Sequence, residues 1–162
     1  MDIIRFLWIF FCFLLSFRYG MPLAAFLTLF ADGFLLFTDF YAAGISFFLL
    51  VQLAYLYNLK GVSFFWRALF FLPLGVFLPL TVLGGLYAFL FLLHFFLALQ
   101  KEKAQPSLSR KLYLLGLVLF ICCDMAVVWG YFFTPVPHLV WLFYAPSQLL
   151  LALTAKSFTA KA

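Results

Sequence analysis

Charge is what this sequence has least of. Of its 162 residues, 9% are charged, 69% are hydrophobic, and the mean hydropathy is +1.20. A soluble domain is about half apolar, with roughly a quarter of its residues charged. A water-exposed globule of this length is therefore excluded, and lipid must be the solvent for most of the surface. Acid is scarcer than base, five Asp and Glu against ten Lys and Arg, for a net charge of +5. The surplus is not gathered into a patch but spread between apolar runs, which excludes a nucleic-acid binder and leaves membrane orientation as its use. Cysteine is limited to Cys12, Cys122 and Cys123, all inside apolar runs and without CxxC spacing or a His at a zinc-like interval. They read as small packing residues, and no metal or cofactor is expected. The chain also lacks a soluble domain, an internal repeat and a low-complexity tail.

Long apolar runs and twenty-six Phe are what it has. A spanning helix takes about 20 apolar residues, and seven candidates fit: 3–17, 22–38, 40–59, 64–80, 84–99, 111–132 and 136–155. The expected fold is a single all-α transmembrane bundle of about seven helices over 1–162, multi-pass in a membrane. Arg5, an apolar stretch and Arg18 resemble a signal peptide, but SFRYGM is a poor cleavage site, so the stretch reads as a retained first helix. Pro22 and Pro137 suit helix starts, and Lys60-Gly61 and Gly84-Gly85 suit turns. Pro73 and Pro79 are expected to kink or break the fourth span. Gln100 to Lys111, QKEKAQPSLSRK, is the one stretch that looks like a true loop.

The basic residues test that count. Seven spans put nine of the ten Lys and Arg on one side and Arg5 alone on the other. Basic residues accumulate in the cytoplasm, so the N-terminus is expected outside and the C-terminus inside. The compact size favours a bacterial inner (cell) membrane.

Five polar residues sit well inside spans: Asp32, Gln52, His94, Asp124 and Gln148. An ionised carboxylate at the bilayer centre costs at least about 2.5–3.5 kcal/mol on insertion scales, so such residues face the bundle interior and are functional candidates. Helical spacing extends them into stripes. These are Ala25, Thr28 and Asp32; Tyr41, Phe48, Gln52 and Tyr55; Gly84, Tyr87, His94 and Ala98; Gly116, Phe120 and Asp124; and Trp141, Tyr144, Gln148 and Ala152. The stripes are expected to meet around one elongated cavity. At about 1.5 Å per residue, Asp32 and Asp124 fall roughly 10 Å below the outer helix ends and Gln52 and Gln148 roughly 18 Å, with His94 between. Interhelical hydrogen bonding is the plain alternative for the glutamines, the tyrosines and His94. The acids have no base at their depth to pair with. Asp39, at the outer boundary, reads as a solvated turn residue.

These residues carry a resemblance. ADGFLLF (Ala31 to Phe37) followed by SFFLLVQLAY (Ser46 to Tyr55) resembles the YhhN-type lysoplasmalogenase family, which has Gly-Asp and then a GxFxxxHxxY helix. Asp32, Phe48 and Tyr55 match; Ala31 and Ser46 stand where Gly is usual, and Gln52 where His is usual. GLVLFICCD (Gly116 to Asp124) is similar to the family's GxLLFxxSD, with Cys123 in place of Ser. YAPSQLLLALTA (Tyr144 to Ala155) resembles its Y-x-x-x-Q helix through Tyr144 and Gln148. The four motifs run in order over Met21 to Ala155. Members usually have about eight spans, so the resemblance implies that this chain has one fewer, the first.

The resemblance implies an integral membrane hydrolase that uses water to cleave the vinyl ether of a lysophospholipid, or of another single-chain lipid. Such ethers hydrolyse by protonation at the β-carbon and capture of the oxocarbenium ion by water, which calls for a proton donor, a carboxylate and a base. Asp32 and Asp124 are the expected catalytic pair, since two interior carboxylates in different surroundings can divide the acid and base roles. Gln52, Tyr55, His94, Tyr144 and Gln148 are the expected substrate-binding residues. Gln52 bonds but does not exchange a proton near neutral pH. Two other classes stay open: a lipid-binding protein without chemistry, and a small proton-coupled transporter using Asp32, Asp124 and His94. Transporters often carry a repeat, which is absent here. The oligomeric state is open.

Overall fold

The computed structural model describes residues 2–60 and 78–158. They form six α-helices and no strand: α1 (Asp2–Tyr19), α2 (Pro22–Phe37), α3 (Tyr41–Lys60), α4 (Leu80–Ala104), α5 (Leu108–Phe132) and α6 (Pro137–Thr154), followed by a 3₁₀ turn, Ala155–Phe158. Tyr41–Leu59, Leu80–Ala104, Leu108–Phe132 and Pro137–Phe158 are long and apolar enough to cross a membrane. By length and composition the chain is a multi-pass membrane protein. Of the other two helices, α1 carries Asp2, Arg5 and Arg18 in its 18 residues, and α2 has only 16 residues.

The count of seven is corrected to six among the described residues. The expected fourth span, Phe64–Leu80, lies outside them except for its last three residues, as do Arg67 and Pro73. Pro79, expected to kink that span, is instead the N-cap of α4. Gly84 and Gly85, expected in a turn, lie inside α4, and a methyl on either would meet nothing within 4 Å.

The expected loop over Gln100 to Lys111 shrinks to three residues, because α4 runs on to Ala104 and α5 starts at Leu108. Lys and Glu are good helix formers, so polarity alone does not stop α4; Pro106 falls in the turn, and Ser107 caps α5 by accepting from the Arg110 N–H at 3.3 Å. Both helices have 25 residues, about 37 Å at 1.5 Å per residue. That exceeds a hydrocarbon core of about 30 Å, so their charged ends reach the headgroups.

Ring contacts set the helix directions. Phe13 meets Phe26, Phe34 meets Phe47, and Phe91 meets Phe120, which with the short turns makes α1/α2, α2/α3 and α4/α5 antiparallel. Two pairs run parallel. Phe48 meets Tyr87 while Gln52 bonds His94, aligning α3 with α4. Arg5 lies over Trp141, the Trp8 indole donates to the Ala145 carbonyl at 3.0 Å, and Gly20 abuts the Ala152 carbonyl, aligning α1 with α6. All the described basic residues except Arg5 therefore collect at one end of the bundle.

Small residues bring the helices close. An added Cβ at Gly44 would come within 2.6 Å of Leu35, and one at Gly116 within 3.1 Å of the Leu150 Cβ. This is the usual device for membrane helices, whose association has little hydrophobic drive. The outer surface is apolar, with Phe89 64% and Phe132 72% exposed; a face this large and greasy belongs against lipid.

At the basic end two cations hold down the end of the described chain. Lys101 Nζ donates to the Phe158 carbonyl at 2.8 Å, and Arg110 Nε to the Ser157 carbonyl at 3.2 Å with its guanidinium over the Phe158 ring. The last carbonyls of a helix lack internal partners and attract positive charge.

Candidate functional site

The buried positions of α2 are Ala24, Leu27, Thr28, Ala31 and Asp32, an i, i+3, i+4, i+7, i+8 series that leaves no route for Asp32 to lipid. The same spacing in α6, Tyr144, Ser147, Gln148, Leu151 and Ala152, faces it. Asp32 is 6% exposed and accepts a hydrogen bond from the Tyr144 hydroxyl. Across the bundle, Asp124 on α5 accepts from the Tyr87 hydroxyl of α4 at 2.8 Å. The two Asp–Tyr pairs are joined through rings, since Phe48 and Phe120 lie 6.0 Å apart between them. Phe120 touches Tyr144 at 5.5 Å, and Phe48 touches Tyr87 at 6.0 Å. The expected catalytic pair thus shares one layer.

A second layer lies nearer the basic end. His94, fully buried, has its Nδ1 2.8 Å from Gln52 Oε1 and its Nε2 2.7 Å from the Tyr113 hydroxyl. An amide oxygen only accepts, so Nδ1 carries a proton toward Gln52, while Nε2 shares a hydrogen bond with the Tyr113 hydroxyl, a group that can give or take one. Tyr55 stacks on the ring at 4.9 Å with 16° between planes. His94 was expected at a level between the acids and the glutamines. It lies at the level of Gln52 instead, because α4 begins at Leu80, one turn before the expected Gly84.

The expectation of one elongated cavity is corrected. Phe48, Phe91 and Phe120 fill the space between the layers on the α3–α4–α5 side, with Phe91 and Phe120 5.2 Å apart and Phe48 and Phe120 6.0 Å apart. Big aromatic rings pack an interior more readily than they border a void. A cavity does exist among α1, α2, α3 and α6, lined by residues that include Ser16, Met21, Thr28, Tyr55 and Gln148 but neither aspartate; its volume is about 10 Å³. Gln148 is 7% exposed, and its Nε2 has no hydrogen-bond partner among the described residues.

Of the expected site residues, Asp32, Asp124 and Tyr144 come together, Gln52, Tyr55 and His94 form the second group, and Gln148 shares the cavity with Tyr55. Sequence reasoning placed Tyr87 on the His94 stripe without giving it a role, and it missed Tyr113. Tyr113 sits near the start of its span, where tyrosine is an ordinary interfacial residue. Extending the stripe Gly116, Phe120, Asp124 back by one turn reaches it. No protein-family model, curated protein or solved structure matches this chain.

Proposed function

We propose that this chain is a membrane hydrolase that uses water to cleave the vinyl ether bond of a lysophospholipid or a similar single-chain lipid, in the manner of the YhhN-type lysoplasmalogenases it resembles. One observation carries the reading: two carboxylates, the buried Asp32 and the half-buried Asp124, are each bonded by a tyrosine hydroxyl from another helix. A carboxyl group delivers a proton to the β-carbon of the vinyl ether. The cation that forms is stabilised by the partner carboxylate and captured by water, and the hemiacetal collapses to a fatty aldehyde and the glycerol hydroxyl of the headgroup. Tyr144 and Tyr87 orient the acids; Tyr55 and Gln148 position substrate or water. Where the family motif has a His on α3, this chain has Gln52, and an imidazole reaches the same place from α4 as His94.

The cytoplasm is assigned to the basic end, with the N-terminus outside and the C-terminus inside a bacterial inner membrane. The parallel run of α1 and α6 and the collection of Lys and Arg at one end support that orientation. A second reading, a lipid-binding protein without chemistry, is favoured by His94 having both ring nitrogens engaged.

Asp32→Asn and Asp124→Asn in purified protein, assayed for aldehyde release from a lysoplasmalogen, test the proposal. Each is expected to lower the rate by about 10²–10⁴-fold, the usual contribution of a positioned acid or base. Rates equal to wild type would end the mechanism, and no turnover by the wild type would leave the lipid binder.

A further inference from the structure

Gln148 poses a problem that the fold does not solve. A buried amide without a partner is costly, and buried polar groups are almost always satisfied by protein or by ordered water. The Gln148 side chain lines the cavity among α1, α2, α3 and α6 with its Nε2 unpartnered among the described residues. Two hydroxyls line the same space. Thr28 Oγ1 gives its proton to the Ala24 carbonyl at 3.0 Å, and Ser16 Oγ to the Phe13 carbonyl at 2.6 Å. Each hydroxyl oxygen keeps a lone pair to offer. The cavity thus holds one unspent amide NH₂ group and two hydroxyl oxygens able to accept.

Its volume of about 10 Å³ is close to the roughly 10–15 Å³ that one water requires. A lipid chain or a headgroup does not fit. We propose that this cavity is a binding site for a single water, which accepts from Gln148 Nε2 and donates to the hydroxyls of Thr28 and Ser16.

Position gives the site a use. Thr28 precedes Asp32 by one turn on α2, and Gln148 follows Tyr144 by one turn on α6, so the water stands about 6 Å along the helix axis from the Asp32–Tyr144 pair. Cleavage of a vinyl ether consumes one water for each aldehyde formed, and the carboxylates lie in an interior packed with rings. The Gln148 site holds that water in reserve on the side of the bundle where the rings do not close the space. This use rests on the proposed hydrolase activity; the site itself does not.

The test is a structure of the wild-type chain in lipid nanodiscs at a resolution that orders water, with radiolytic hydroxyl footprinting as the second measurement. The expected result is a water within about 3 Å of Gln148 Nε2. Met21, buried at 6% exposure and lining the cavity, is expected to be oxidised in the wild type and several-fold less in Gln148→Leu. No ordered density at the amide, a lipid oxygen in its place, or an unlabelled Met21 in the wild type would overturn the site. Such a result in a protein that releases aldehyde would leave the hydrolase reading standing. An occupied site in a protein that releases none would end the hydrolase reading and keep the site.

Discussion

At the scale of the residue, the tyrosines matter as much as the acids they serve. Tyr144→Phe and Tyr87→Phe each remove the hydroxyl bonded to an interior carboxylate and keep the ring. Leaving a buried acceptor unpaired costs about 1–3 kcal/mol, so Tyr144→Phe is expected to unfold at lower temperature in nanodiscs, and Tyr87→Phe, whose partner Asp124 is half-buried, to fall by less. An unchanged melting curve would show that those bonds do not hold. The Gln52–His94 bond is tested by a double-mutant cycle of Gln52→Leu and His94→Leu, where direct partners couple by about 0.5–3 kcal/mol and a coupling of zero would contradict the contact. The acids were legible in the sequence because carboxylates in apolar runs stand out energetically. Their partners were not, since a tyrosine near a membrane surface carries no such signal. Nor does any spacing within one helix tell that His94 meets Gln52, because that contact depends on how far α4 slides along α3.

At the scale of the element, apolar length located the helices well, and their ends poorly. Hydropathy marks where lipid solvation stops, while a helix continues for as long as its backbone can bond. Hence α4 runs five residues past its expected end, to Ala104, while its start at Leu80, four residues early, was hidden by reading Gly84-Gly85 as a turn. The glycines separate the two effects. Gly84 and Gly85 are helical with open space around them, so Gly84→Ala and Gly85→Ala are expected to stabilise by roughly 0.5–1 kcal/mol each. Gly116 has the Leu150 Cβ 3.1 Å from where its own would stand. Gly116→Val is expected to cost about 1–3 kcal/mol by overpacking. Thermal unfolding of the three variants reads both signs, and a stabilising Gly116→Val would refute the close approach of α5 and α6.

At the scale of the whole molecule, the charge pattern was the most informative part of the sequence, since it separates the two ends of the bundle without any knowledge of packing. Orientation is testable in cells with a membrane-impermeant maleimide, after the native cysteines are replaced. Thr134→Cys, exposed between α5 and α6, is expected to label from outside; Ala104→Cys, exposed at the α4–α5 turn, is expected to label only after permeabilisation. The reverse pattern would invert the assignment. Packing between non-sequential helices was not legible, because every apolar face resembles every other until α1 is seen against α6. The hold that Lys101 and Arg110 keep on Ser157 and Phe158 bears on how the protein can be handled. An affinity tag appended beyond Phe158 leaves both grips in place, whereas one that replaces the final turn frees the Lys101 ammonium and leaves Arg110 only its bonds to Gln105. Lys101 is then expected to take a lipid phosphate in place of the Phe158 carbonyl, and anionic lipid co-purifying no more with the truncated form than with the intact chain would show otherwise.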